Sequence, residues 1–124
     1  MELGKVQKAW VSDLRKYPER QNDGILGKVI KLKDGYNIKC CCLGQAEITM
    51  NGMPKGTSIC SGGSSFGLEG SYKQLGLHSM RGDLEGGLLE GYASLASAND
   101  GGVTWENIAN FIEKNPEVVF TKSL

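Results

Sequence analysis

Two helical stripes, one near each end of the chain, constrain this sequence most. Val6, Trp10, Leu14 and Tyr17 recur at i, i+4, i+8 and i+11, the spacing of one helix face. Lys5, Lys8, Asp13, Arg15 and Lys16 fall off that face. The pattern predicts a helix over residues 4–17. Pro18 ends it, because the proline ring excludes the preceding residue from helical geometry. Near the other end, Thr104 stands as an N-cap before Trp105, Ile108 and Ile112, with Phe111 beside them. Glu106 sits in the first turn, where the helix dipole favours a negative charge. This second helix is predicted over residues 105–115, stopped by Pro116.

Between the stripes the period changes from helical to alternating. Residues 28–32 are β-branched and apolar, and Asp34-Gly35 supplies a turn of positive φ. The return strand then places Tyr36, Ile38, Cys40 and Cys42 on one face and Asn37, Lys39 and Cys41 on the other. The spacing allows the strand to resume over residues 46–50, with Asn51-Gly52 as a second hairpin-type turn and a loop at Pro54 and Gly56. Residues 61–91 are glycine-rich, with 71–77 and 86–89 open between helix and strand. Val118, Val119 and Phe120 read as a final edge strand. No repeat or domain boundary is visible. The expected fold is one α+β domain over residues 1–124: a small antiparallel sheet carrying the cysteine strand, the Trp10 and Trp105 helices packed on it, and glycine-rich loops.

The totals remove several function classes. A chain of 124 residues can bury a core without a staple. Its 14 basic and 14 acidic side chains cancel, whereas a protein that grips long nucleic acid gains most of its affinity by neutralising phosphates. No apolar run approaches the roughly 20 residues a membrane span requires. The start of the chain is too polar for a signal peptide, so a cytoplasmic location is expected, with Cys40, Cys41, Cys42 and Cys60 as thiols. The 18 glycines are the unusual total, pointing to tight turns or to backbone packed closely against something.

Few residues suggest chemistry. A zinc site from Cys40, Cys42, Cys60 and the single histidine, His78, is conceivable. Three adjacent thiols lack the usual ligand spacing, however, and buried cysteine is common, so core packing is the expectation, ahead of metal or redox use. A cysteine nucleophile would have only His78 as base, and no Gly-x-Ser-x-Gly stands between strand and helix. No catalytic set, metal or cofactor is therefore expected. Ser61-Gly62-Gly63-Ser64-Ser65 reads as a surface loop or as a backbone cradle for phosphate, without the closing Lys-Ser/Thr of a P-loop. Arg81 is the one cation between Lys73 and Lys114. Asn99-Asp100-Gly101-Gly102 is a turn before the second helix, or else a ligand site in which Asn99 and Asp100 read hydroxyls or base edges beside the helix N-terminus and the Trp105 ring.

Four features in this order resemble a widespread family of small phage and prophage proteins. They are the tryptophan helix with Trp10-Val11-Ser12-Asp13-Leu14-Arg15, the strand end Cys41-Cys42-Leu43-Gly44, the step Ser94-Leu95-Ala96 before Asn99-Asp100, and the helix Trp105-Glu106-Asn107-Ile108-Ala109 closing in Ile112-Glu113-Lys114-Asn115-Pro116. The likeness covers the first third and last quarter of the chain. In the middle, Gln45-Ala46-Glu47 stands where the family continues with apolar residues and another cysteine. The resemblance implies a phage accessory protein. By analogy with phage sponges, the expectation is a non-enzymatic protein that captures a small nucleotide-like molecule, with Ser64, Ser65, Arg81, Asn99, Asp100 and Trp105 at the site, and that forms a homo-oligomer. The rival expectation is a protein that binds and blocks a host defence protein with no small ligand; a cysteine- or metal-dependent enzyme comes third.

Overall fold

In the computed structural model, residues 1–22, 38–52 and 72–124 are described in full, and residues 27–32, 35–37 and 64–65 through their backbone. The first stripe forms α1 (Lys5–Lys16), which buries Gln7, Trp10, Val11 and Leu14. Tyr17 closes it, and Pro18–Arg20 makes one 3₁₀ turn. The second stripe forms α5 (Trp105–Lys114), burying Trp105, Ile108, Ala109 and Ile112. The Thr104 hydroxyl accepts from Asn107 N at 3.2 Å, so the expected cap is in place.

Between them lie β1 (Gly27–Leu32) and β2 (Gly35–Cys40), then α2 (Cys42–Asn51), β3 (Ser64–Ser65), α3 (Tyr72–Leu75), α4 (Leu95–Asp100) and, after α5, α6 (Pro116–Val119). The β1 backbone pairs antiparallel with β2, Gly27 opposite Cys40, and with β3, Lys28 opposite Ser65. Asp34 and the expected loop at Pro54 and Gly56 lie outside the described residues. The class is α+β. The tryptophan helices pack directly on each other, and α1 also packs on α2. Arg15 ties α1 to α5 through Asn110 Oδ1 at 2.8 Å and through Glu113.

Three sequence-derived elements are corrected. The strand expected to run through Cys42 and to resume over 46–50 stops at Cys40, and residues 42–51 are helical. Leu43 and Ala46 stand three apart on a buried face, a helical spacing that the alternation of the preceding strand masked. Asn51 is the last residue of α2, and Gly52, with φ 76°, is its C-cap in place of a hairpin turn. The edge strand expected at 118–120 is instead α6, opened by Pro116 at its first position, where a missing N–H costs nothing. Phe120 alone makes a bridge, with Leu77.

One apolar cluster joins the helices and the end of β2, containing Trp10, Leu14, Cys40, Cys41, Cys42, Trp105, Ile108, Ile112 and Phe120. Trp10 meets Phe120 edge to face, with ring centroids 6.2 Å apart. Among the described residues no helix is long and apolar enough to cross a membrane.

Candidate functional site

A buried indole N–H must find an acceptor, and both tryptophans find theirs at the junction of α2 and α4. Trp10 Nε1 donates to Cys42 O at 3.0 Å. Trp105 Nε1 donates to Asn99 Oδ1 at 2.9 Å, and Cys42 N donates to the same oxygen at 3.1 Å. Those two donors occupy the two lone pairs of that carbonyl, and Gln21 Nε2 approaches the same oxygen at the longer distance of 3.4 Å. Asn99 Nδ2 turns the other way and donates to Asn22 O at 2.8 Å. The Asn99 side chain therefore joins α4, α2, α5 and the segment after the 3₁₀ turn, and it is buried.

Directly outside this junction lies a cleft of about 360 Å³ lined by Pro18, Gln21, Asn22, Asn99, Asp100 and Gly102. It is shallow and predominantly polar. Its volume falls at the low end of the about 300–1,000 Å³ common for small-molecule sites. Gln21 is fixed at its rim, its Nε2 donating to Val103 O at 2.7 Å. Asn22 N donates to Cys40 O at 2.8 Å, which holds the cleft wall against the end of β2. Among the described lining residues Asp100 is the charged one.

Of the six residues selected from sequence, the structure brings two, Asn99 and Asp100, to this cleft. Both belong to the end of α4, so the expected turn begins at Gly101, the C-cap, and continues with Gly102 at φ 92°. Trp105 lies beneath, with no exposed surface, and its ring faces serve the core instead of stacking on a ligand. The first turn of α5 is occupied by its own Thr104 cap. Arg81 does not line the cleft; its guanidinium approaches Ser97 Oγ at 3.4 Å and its carbonyl accepts from Ala96 N. Ser64 and Ser65 are placed through their backbone as β3, and residues 61–63 of the expected phosphate cradle lie outside the described residues. Gln21 and Asn22 were missed. They follow a proline-led turn as ordinary amides, and nothing local marks them.

The cysteines sit behind the cleft wall. Burial pushes the Cys40 thiol up to about 12, with Cys41 adding to the rise and Arg20 opposing it. Burial also raises Cys42 well above the ordinary value. Cys41 is raised by burial, while the Gly44 and Leu43 amides pull it back. All three are held as protonated thiols at neutral pH, packed as the sequence suggested, although Cys41 is buried too because the strand ends before it could face outward. Cys60 lies outside the described residues, and the His78 ring stands 3.8 Å from Glu85. Among the described residues no group of three or more His, Cys, Asp or Glu converges as a metal would require.

Fold and cleft together define a small α+β domain with a polar surface site built round a buried asparagine. Compared with protein families, curated proteins and solved structures, the chain shows no match to any of the three.

Proposed function

We propose that this protein is a non-enzymatic binding protein that holds a small nucleotide-like molecule in the cleft beside Asn99. The observation that carries the reading is the cleft itself: a floor tied down by the Asn99 hydrogen bonds, with the polar groups of Gln21, Asn22 and Asp100 round it. Pre-organisation of this kind lowers the entropic cost of capture. The nucleotide-like character and the phage setting rest on the motif resemblance, and capture of a host immune signal is the role that resemblance suggests. In the same proposal the protein works in the cytoplasm. A second copy of the chain closes the shallow cleft, so the active form is a homo-oligomer.

Binding stabilises the fold by mass action, by about 2.7 kcal/mol at a ligand concentration of 100 Kd. A thermal-unfolding screen against nucleosides, cyclic nucleotides and ADP-ribose-type nucleotides is therefore expected to give at least one rise in midpoint. The rise should diminish in Asp100→Ala. A flat response across the panel, with a host protein retained in a pull-down, would instead support the rival role of blocking a defence protein.

A further inference from the structure

The indole N–H of Trp105 and the backbone N–H of Cys42 can only donate, so the Asn99 atom that faces them has to be its oxygen. Asn99 Nδ2 is held from the other side by the Asn22 carbonyl at 2.8 Å, so this carboxamide cannot turn over. Its polarity fixes that of the next carboxamide outward. Gln21 Nε2 donates to Val103 O at 2.7 Å and approaches Asn99 Oδ1 at 3.4 Å. Both are acceptors, and they engage the two hydrogens that the nitrogen carries. Turning the Gln21 carboxamide over would set its oxygen against these two oxygens and forfeit both contacts. The group that half-buried Gln21 keeps for the cleft it lines is therefore its oxygen, an acceptor. Resting on the reading of the cleft as a nucleotide site, we infer that Gln21 determines its specificity by taking an N–H donor of the ligand, the exocyclic amine of a base. A hydroxyl can rotate to donate or to accept and so suits either polarity, whereas an exocyclic amine donates in the plane of its ring. A carboxamide locked with its oxygen outward thus selects bases that carry the amine over bases that lack it.

The test is calorimetric titration with pairs of nucleosides, and of their 5′-monophosphates, that differ only in the amine: adenosine and purine riboside, guanosine and inosine, cytidine and pyrimidin-2-one riboside. Within at least one pair the amine-bearing member is expected to bind about fivefold more tightly, the effect of one hydrogen bond in a partly exposed setting. In Gln21→Met, which keeps the length of the side chain and removes the acceptor, the two members of that pair should bind alike. Gln21→Ala gives the same comparison should the methionine variant fail to fold. Equal binding within every pair by the wild type, or a preference that persists undiminished without the Gln21 carboxamide, would overturn the inference while leaving nucleotide capture standing. Absence of binding by every nucleoside and monophosphate would overturn both.

Discussion

The Asn99 carboxamide satisfies two buried donors with one oxygen, and its nitrogen fixes the Asn22 carbonyl on the cleft wall. Asn99→Ala would leave the Cys42 amide and the Trp105 indole N–H without their acceptor in an apolar setting. An orphaned buried polar group costs about 1–3 kcal/mol, so the variant is expected to lose about 2–4 kcal/mol of stability in urea unfolding. Asn99→Asp keeps an acceptor but removes the Nδ2 donor and buries a carboxylate, so it is expected to be no milder than the alanine variant. A loss below about 1 kcal/mol in the alanine variant would mean that the junction is not organised by this side chain. Arg15 offers the contrast. Its contacts with Glu113 and Glu106 are partly exposed, and such pairs contribute little.

At the scale of elements, the passage from β2 into α2 is the point where three consecutive cysteines enter the core. This junction makes stability depend on alkaline pH. In the unfolded chain the Cys40 thiol ionises near its ordinary 9.0, whereas burial pushes it up to about 12 in the fold. Between those values the unfolded chain has lost a proton that the fold retains, so stability falls as pH rises. The contribution is complete below about pH 9 and gone above about pH 12, and the gap corresponds to about 4 kcal/mol. Urea midpoints under reducing conditions, from about pH 8 to about pH 11, should decline more steeply for the wild type than for Cys40→Ala. Parallel declines would show that the thiol is not held protonated. The same junction explains what was hard to read. Leu43, Gln45 and Ala46 favour a helix, but Tyr36, Ile38 and Cys40 set a period of two just before them, and where one pattern yields to the other depends on which faces α1 and α4 cover.

Over the whole molecule, buried Gln7 fastens distant parts of the chain. Its Nε2 donates to Leu75 O at 2.9 Å and Lys122 O at 2.8 Å, and its backbone N donates to Leu124 O at 3.1 Å. A methyl group built on neighbouring Gly4 would run into the Leu124 backbone, so residues 4–7 and 122–124 are in direct apposition. Gln7→Ala leaves the buried Leu75 carbonyl and the partly buried Lys122 carbonyl without their donor, and should cost about 1–3 kcal/mol. Amide hydrogen exchange is expected to quicken both at the start of α1 and near residue 121, where Thr121 N donates to Gly76 O. Faster exchange at only one of the two places would separate them as independent units.

The two end helices, the Thr104 cap of the second, the balanced charge and the packing role of Cys40 and Cys42 follow from the sequence, because each depends on local periodicity or on composition. Asn99 and Asp100 were singled out in the sequence as short polar side chains before glycines, although they close α4 and Asn99 is buried instead of lying in a turn. The cleft was decided by tertiary structure alone. Gln21 and Asn22 come to Asn99 across more than 75 positions of chain, through hydrogen bonds that no local pattern encodes. The burial of Trp105 was settled the same way: an aromatic on a helical stripe can face a ligand or a core, and only the packing of α1 against α5 selects the core.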